Sequence, residues 1–288
     1  MSQVLDRLGA HGAHYRDPVA AIDWHDARDD QAWLPHDLLS MNSAALGKPF
    51  SPIELNAFSR IDFARLCAAG MWLEGLLISR VTAKGYLGLR TDEARIMLQE
   101  VREESGHSLM FLEMIERAGL ANVPLLGSTG LLTWIAGHLD PAGPEFWAMV
   151  YIGETVTDTF ALKALKRVRE DGAEICPVAR QVLELHHRDE ARHIAAARTL
   201  LGSRIGQMTE ARRLLFTRTI RFLLKRFLDA TLYPTPASLD VVGIENAKSV
   251  ARVIRQCPER RRLAEACARP ALELLRRDGL LTKSMETI

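Results

Sequence analysis

The stretch HHRDEARH, residues 186–193, brings together side chains that commonly bind metal ions. His186, Glu190 and His193 are spaced by four and three residues, so an α-helix would place them on one face in successive turns. A second stretch, EESGH at residues 103–107, repeats the Glu-x-x-His spacing with Glu104 and His107. Apolar residues continue both faces in each direction, which predicts that these polar side chains point into the interior of a helical protein.

Two other segments predicted to be helical carry one acidic residue in the middle of an apolar face. Glu74 follows Cys67 and Met71 at helical spacing, and Glu154 follows Trp147 in the same way. Four buried carboxylates would repel one another, and burying an ionised group is costly unless it is paired or bound to a metal. Two divalent cations balance four carboxylates in charge, and carboxylate oxygens together with imidazole suit iron or manganese.

A single Glu from each of two helices and Glu-x-x-His from each of two others is the ligand pattern of ferritin-like carboxylate bundles. The sequence therefore predicts an all-α, ferritin-like four-helix bundle that holds two Fe ions, and the same ligands would also accept Mn. We expect its helices at about 51–84, 91–119, 145–170 and 177–201. Thr91 is expected to cap the second helix, and Gly202 to end the fourth.

The remainder of the chain is expected to extend this bundle rather than to form a second domain. Residues 1–50 read as an irregular N-terminal arm with brief helical turns, packed on the core, to which we assign no chemistry. Residues 51–288 contain the bundle and a C-terminal extension of two or three helices, broken near residues 234–236 and at Gly243. The 288 residues fit one domain overall.

Charge and cysteine content narrow the classes of function. Lys and Arg total 37 and Asp and Glu total 36, so no net field would attract nucleic acid or an anionic membrane. No apolar run is long enough to span a bilayer, and residues 1–17 lack the apolar core of a secretory signal. The four cysteines show no CxxC spacing, which favours buried free thiols in a reducing cytoplasm. They are Cys67, Cys176, Cys257 and Cys267.

Several acidic and basic residues near the motifs have more than one interpretation. Glu54 is expected to be a first-turn charge, Glu100 a residue at the rim of the site, and Glu103 a residue on an exposed face. His186 is either an additional ligand, a donor to a metal-bound carboxylate, or a satisfied core histidine. His187 and Asp189 point elsewhere on the helix, although Asp189 is placed where it could orient a ligand histidine.

These motifs resemble those of the p-aminobenzoate N-oxygenases, the AurF-like diiron oxygenases. The resemblance also covers the arm, the MWLE stretch at residues 71–74, Gly153-Glu154 and the proline-broken C-terminal helices. That family has an additional histidine four residues before the last Glu, and His186 matches it. The iron ligands that the resemblance implies are Glu74, Glu104, His107, Glu154, His186, Glu190 and His193.

The resemblance also implies an activity. An enzyme of this kind uses O2 as co-substrate and N-oxygenates a primary amine to a hydroxylamine, nitroso or nitro product in secondary metabolism. The amine would be an arylamine or an amino acid derivative, either free or tethered to a carrier protein. An external reductase or ferredoxin, or the partly oxidised substrate, would supply electrons, because the chain has no flavin or nicotinamide fingerprint.

Other activities of the same bundle remain open at this stage. A carbon hydroxylase or desaturase would use the same ligands, and a ferritin-like storage protein or a metal-free interaction bundle is a non-catalytic alternative. A ribonucleotide reductase radical subunit would carry Tyr where this chain has Phe111.

The substrate and any macromolecular partner are less well defined by the sequence. Cys67, Met71, Thr157 and Asp158 lie one or two turns from the predicted ligands and are expected to line a substrate pocket, unless they are ordinary core residues. The basic segment at residues 210–227 is a solvated helix face or a docking patch for an acidic partner, and a homodimer is also open.

Overall fold

A computed structural model describes residues 7–10, 14–28, 30–42, 46–47, 49–86, 90–127, 129–206 and 208–281, and within these ranges it contains helices and no strand. The four long helices of the first part of the chain are α1 (Pro52–Arg80), α2 (Thr91–Arg117), α4 (Pro144–Glu170) and α5 (Pro177–Ile205), and a short α3 (Gly130–Ala136) lies between them. The C-terminal extension contains α6 (Glu210–Leu232), α7 (Pro236–Asp240), α8 (Ala247–Gln256) and α9 (Pro258–Arg277).

The four long helices form the predicted bundle. Helix α1 packs along α2 and α4 along α5, while contacts between α1 and α4 and between α2 and α5 join the two pairs. Helices α6 and α9 pack on the outer side of α4. The all-α, ferritin-like architecture expected from the two Glu-x-x-His motifs is therefore confirmed.

The observed helix ends agree with the capping signals in the sequence at some positions and differ from them at others. Ser51 and Glu54 form a capping box at the start of α1, so Glu54 acts in the first turn as expected. Thr91 is not the N-cap of α2; Arg90 holds that position and makes no side-chain cap hydrogen bond. Helix α5 continues through Gly202 to Ile205, which is buried. Packing of this last turn offsets the cost of about 1 kcal/mol for a glycine inside a helix.

The described part of the C-terminal extension contains four helices, where two or three were expected. A bend at Cys257 separates α8 from α9, and Pro258 occupies the first helical position after it. Proline is favoured at that position because its missing N–H would be unpaired in any case. Prolines at 236 and 258 therefore begin helices here instead of only ending them.

The arm shares the core of the bundle. Trp33, Leu34 and Leu39 are buried in the same apolar cluster as the long helices. Arg260 of α9 donates to the carbonyl oxygen of Leu38 at 2.7 Å and so connects the arm to the C-terminal extension. Short 3-10 turns at Trp24–Asp26 and His36–Leu38 correspond to the brief helical turns expected in this segment.

A second buried arginine, Arg65, ties α1 to the end of α6. Its guanidinium pairs with Asp62 at 3.4 Å and donates to the carbonyl oxygens of Leu125, Ala230 and Tyr233. Burial lowers the pKa of Arg65 to about 10, so the side chain remains charged at neutral pH. Asp62 also accepts from the backbone N–H of Ser40 in the arm at 2.6 Å.

The cysteines lie inside the protein, whereas most basic residues of α6 lie on its surface. All four cysteines are buried and free, as predicted. Most basic residues of α6, including Arg218 and Arg226, are exposed, and Arg212 pairs with Glu145 of α4 at 3.0 Å. None of the described helices has the length and apolar character required to cross a membrane.

Candidate metal centre

Four helices of the bundle bring the predicted ligands to its interior. Helix α1 contributes Glu74, α2 contributes Glu104 and His107, α4 contributes Glu154, and α5 contributes the rest. Their exposed fractions lie between 0% and 6%, so none of these ionisable side chains is solvated. The seven residues are Glu74, Glu104, His107, Glu154, His186, Glu190 and His193.

The ligand atoms form two overlapping groups that share His107. Within each group the atoms lie within 4.8 Å of one another. The first consists of Glu104, His107, Glu190 and His193, and the second of Glu74, His107 and His186. Each group could hold a metal ion, as carboxylates and imidazoles on the facing helices of such bundles do.

Glu190 lies at the centre of this arrangement. Its Oε1 atom is 3.0 Å from Nε2 of His186, 3.4 Å from Nδ1 of His193 and 3.6 Å from Nδ1 of His107. The same Nδ1 atoms of His107 and His193 also approach the Glu104 carboxylate at 3.2 and 3.0 Å. Each of the three imidazoles therefore presents one nitrogen to the carboxylates.

Glu154 belongs to neither group of ligand atoms, although it is buried beside them. Burial, together with the negative charges of Glu190 and Glu104, raises the pKa of Glu154 well above its usual value. The same two effects, burial and the charge of Glu104, raise the pKa of Glu74. Both carboxyls therefore hold a proton more tightly in the metal-free protein than an exposed glutamate does.

The outer nitrogens of two imidazoles contact carboxylates outside the cluster. Nε2 of His107 lies 3.5 Å from Oδ2 of Asp189, as the sequence suggested for this residue, and Nε2 of His193 lies 3.4 Å from Oε2 of Glu103. The expectation that Glu103 is exposed was wrong, because Arg192 of α5 covers it and forms an ion pair with it. Such carboxylate–histidine contacts orient the ring and increase its basicity.

Two further polar partners were not identified from the sequence. Ser108 donates to Oε2 of Glu74 at 2.5 Å, and Arg192 pairs with Glu100 at 2.6 Å. Ser108 lies four residues after Glu104, and Glu100 lies four residues before Glu104. Helical spacing therefore places Ser108 and Glu100 on the same face of α2 as Glu104, which was the signal for both residues. Glu100 is 2% exposed and therefore lies inside the protein rather than at a rim.

Replacing Asp189 with asparagine is expected to weaken metal binding by about 10- to 100-fold, the usual cost of losing an outer carboxylate partner of a ligand histidine. The neutral amide cannot support the basicity of His107 as the carboxylate does. Competition with a chelator measures the change. Glu184→Gln on the same helix, whose carboxylate pairs with the exposed Arg169 and Arg180, is the matched control. Equal affinities for the two variants would contradict the orienting role.

Several buried polar atoms of the cluster have no hydrogen-bond partner, which bears on whether the site suits metal ions. The inward atoms include Glu74 Oε1, Glu104 Oε1, both carboxylate oxygens of Glu190, and the facing nitrogens of His186 and His193, and none of them makes a hydrogen bond. Buried polar atoms are normally paired, so a cluster of unpaired oxygens and nitrogens requires another partner. Hard oxygen donors mixed with imidazole suit iron or manganese, so the side chains present here fit a pair of such ions.

The protonation state of the cluster predicts how metal binding depends on pH. Burial opposes the charge on His107, yet hydrogen bonds to Asp189 and Glu104 raise its pKa to about 10. At neutral pH both ring nitrogens of this imidazole are protonated in the metal-free protein, and one of these protons must be lost before the ring can bind a metal. We expect protons to be released on Fe²⁺ binding and affinity to rise between pH 6 and pH 9. Calorimetry in buffers of different ionisation enthalpy measures the release, and binding without net release would contradict the prediction.

An apolar cavity of about 40 Å³ lies inside the bundle next to His186. Of the four side chains expected around a substrate, Cys67 and Thr157 line it, whereas Met71 and Asp158 do not. Asp158 instead accepts a hydrogen bond from His187. The lining residues are Phe63, Leu66, Cys67, Gly70, Phe111, Thr157, Phe160, Ala161, Val182, Leu183 and His186.

A second cavity, of about 300 Å³, lies on the outer side of His107 and is polar. The arm forms one wall of it with His14, Tyr15 and Arg16, next to Asp189. The arm can approach because residue 106 of the EESGH stretch is glycine. A Cβ atom there would lie 2.8 Å from Cδ of Pro18 and would also collide with the Tyr15 hydroxyl. The arm, to which the sequence assigned no chemistry, therefore borders the metal-facing histidine.

The chain is similar to one described protein family over nearly its whole length. The family model for P-aminobenzoate N-oxygenase AurF matches residues 1–279. The uncharacterized proteins Mb0909 of Mycobacterium bovis and Rv0885 of Mycobacterium tuberculosis are each 29% identical to it over 191 residues. These matches cover 64% of this chain and 53% of each relative, so the chain spans about half the length of the curated relatives it matches.

Solved structures show the same fold. A variant of the R2-like ligand-binding oxidase with an anaerobically reconstituted Mn/Fe cofactor has a TM-score of 0.55 at 14% identity, covering 100% of this chain and 93% of that one. Another variant, reconstituted aerobically, has a TM-score of 0.56 at 15% identity, covering 98% and 93%. At this level of identity the similarity concerns the fold alone.

Proposed function

The chain belongs to the p-aminobenzoate N-oxygenase family, and from this membership we propose that it is a diiron oxygenase that transfers oxygen from O2 to a primary amine. Family and fold support an oxidase or oxygenase of the ferritin-like diiron class. The observation that carries the proposal is the cluster of buried carboxylates and imidazoles whose inward atoms have no hydrogen-bond partner. Amine N-oxygenation is the more specific part of the proposal.

The metal-holding role is assigned to the seven predicted residues. Glu104, Glu190 and His193 would hold one ion, Glu74 and His186 the other, with His107 belonging to both groups of ligand atoms and Glu154 beside Glu190. When bound, two iron ions would bind O2 and pass electrons to it. Manganese in one position is an alternative that metal analysis of the purified protein decides.

The reaction that we propose balances with two external electrons. One primary amine, one O2, two electrons and two protons give one hydroxylamine and one water, so one oxygen atom enters the N–H bond and the other leaves as water. Further turnovers would give the nitroso and nitro compounds. The electrons would come from a separate reductase or ferredoxin, or from the partly oxidised substrate, since the sequence shows no flavin or nicotinamide fingerprint.

The protein's own side chains have distinct tasks in this proposal. The apolar cavity beside His186 would exclude water and hold the organic part of the amine. Asp189 would keep the ring of His107 in position, and Ser108 would hold one oxygen of Glu74 so that the other faces inward. The polar cavity bordered by Tyr15 gives Asp189 access to solvent and is a path for protons.

The test uses purified protein loaded with Fe²⁺, reduced without oxygen, and then mixed with ¹⁸O2 and a panel of arylamines and alkylamines. Products bearing ¹⁸O on nitrogen, identified by mass spectrometry, support the proposal. Oxygen on carbon, or a new double bond, would assign a hydroxylase or desaturase instead. Iron that becomes ferric without oxidising any amine, while more than two ions accumulate per chain, would assign storage.

A further inference from the structure

Among the described residues that line the cavity beside His186, the ionisable side chains are that histidine and the Cys67 thiol. No lysine, arginine, aspartate or glutamate contributes to its wall. The Thr157 hydroxyl is engaged with the backbone carbonyls of Gly153 and Glu154, each at 3.1 Å. Burial, with the charge of Glu74, raises the pKa of the Cys67 thiol well above its usual value, which keeps it neutral. Nε2 of His186 faces Glu190 at 3.0 Å, so apart from that histidine the wall offers no partner to a charged substituent.

From this lining we propose that the substrate is an uncharged arylamine that carries no acidic group. The inference rests on the proposed function and narrows the substrate class of the same site. p-Aminobenzoate, the compound in the family's name, carries a carboxylate at the end opposite its amino group. An ionised carboxylate moved from water into an apolar site without a partner loses several kcal/mol of hydration. The lining therefore selects against the very substituent that p-aminobenzoate carries.

The nature of the amino group follows from the same argument. An alkylamine resembles the lysine side chain, with a pKa of about 10.4, and is protonated at neutral pH. Burying that ammonium among apolar side chains carries the same penalty as burying a carboxylate. The nitrogen of an arylamine is weakly basic and uncharged at neutral pH, so it enters without this cost. Free amino acids are excluded for both reasons.

The aromatic side chains around the cavity favour a flat ring. Three phenylalanines, Phe63, Phe111 and Phe160, contribute to its wall, and the Phe111 ring contacts the His186 ring with centroids 4.9 Å apart. A volume of about 40 Å³ holds little more than one water, whose share of liquid volume is about 30 Å³. A substrate must therefore displace a wall side chain. The Phe111 ring fills part of this space because residue 70 is glycine; a Cβ there would lie 2.6 Å from the ring.

A pair of compounds that differ mainly in charge tests the proposal. p-Aminobenzamide and p-aminobenzoate have nearly the same shape, but only the second is an anion at neutral pH. Calorimetry on the iron-loaded protein without oxygen, repeated on the metal-free protein, gives both dissociation constants. We expect the amide to bind at least about thirtyfold more tightly, equivalent to about 2 kcal/mol. Equal binding, tighter binding of the benzoate, or no binding of either compound would overturn the proposal.

A charge-introducing variant provides the converse test. Leu66 lines the cavity and is only partly buried, so Leu66→Arg places a cation at its mouth. This variant should shift the ratio of the two affinities towards p-aminobenzoate by about tenfold or more, the usual scale for a newly paired buried charge. Leu162→Arg on α4, where Leu162 is exposed, is the control and should leave the ratio unchanged. An unchanged ratio in folded Leu66→Arg protein would overturn the proposal.

These measurements separate the substrate class from the chemistry. If the amide binds selectively but no amine acquires oxygen on nitrogen, the uncharged-ligand inference stands and the N-oxygenase function fails. If amines are N-oxygenated but the benzoate is used as readily as the amide, the function stands and the inference fails.

Discussion

Replacing Glu190 with alanine is expected to abolish binding of the metal pair and, with it, all oxygen-dependent activity. Glu190 approaches all three imidazoles of the site and is wholly buried. Burial opposes its ionisation, but the imidazoles of His186 and His193 outweigh that effect and lower its pKa well below the usual value. It therefore supplies negative charge at the centre of the cluster. Without Glu190, the affinity for metal ions should fall by more than about a hundredfold. That exceeds the loss expected when a carboxylate that only contacts a ligand histidine, such as Asp189, is removed.

The measurement is metal content after dialysis, together with amine turnover. Glu184→Ala is the matched control, because Glu184 lies on the same helix with its carboxylate at the surface. Circular dichroism should show that both variants remain helical, because the apolar core shared by the long helices is unchanged in both. A Glu190→Ala protein that retains two ions per chain would contradict the assignment of this residue as a ligand.

Replacing Arg65 with methionine is expected to lower the free energy of unfolding by about 3–5 kcal/mol, the usual cost of removing one partner of a buried ion pair. Arg65 is 1% exposed and is shared between Asp62 and the carbonyl oxygens of Leu125 and Tyr233. Methionine fills part of the space but leaves the buried Asp62 charge and those carbonyl oxygens without their donor. Asp62 keeps its hydrogen bonds from Ser40, which limits the loss.

Urea denaturation followed by circular dichroism measures this change. Arg218→Met, at an exposed position of α6, is the control and should alter the free energy of unfolding by less than about 0.5 kcal/mol. A double variant, Arg65→Met with Asp62→Leu, removes both charges and should recover part of the loss. Equal stability of Arg65→Met and the control would mean that the buried arginine does not hold α1 to the end of α6.

The inward-facing carboxylates and imidazoles could be predicted because helical spacing is a local property. A helix places residues three and four positions apart on one face, so Glu104 with His107 and Glu190 with His193 share a face in any helical structure of this chain. Their apolar neighbours indicate which face is buried. Helix ends were predicted less well. Thr91 is not a cap and Gly202 does not end α5, because packing overrides local preference at helix ends.

The partners of these residues could not be predicted in the same way. Glu103 is buried because Arg192, 89 positions away in the chain, lies over it, and no local pattern encodes that contact. The approach of Tyr15 to Gly106 likewise depends on where the arm crosses α2. Met71 and Asp158 lie at suitable helical spacing but do not line the cavity, because its position depends on how α1, α2, α4 and α5 are packed together.

The sequence by itself determined the fold class and the seven inward-facing carboxylate and imidazole side chains, since both depend on periodicity within single helices, and its motifs carried the resemblance to the family. Only the tertiary structure decided which outer carboxylates contact the histidines, that the arm borders His107, and that the cavity beside His186 has an uncharged wall. Those features arise between segments far apart in the chain, where side-chain packing and the cost of burying charge select the neighbours. The cluster of carboxylates and imidazoles can therefore be identified from the chain alone, whereas the uncharged cavity wall, on which the proposed substrate class rests, is seen only in the folded protein.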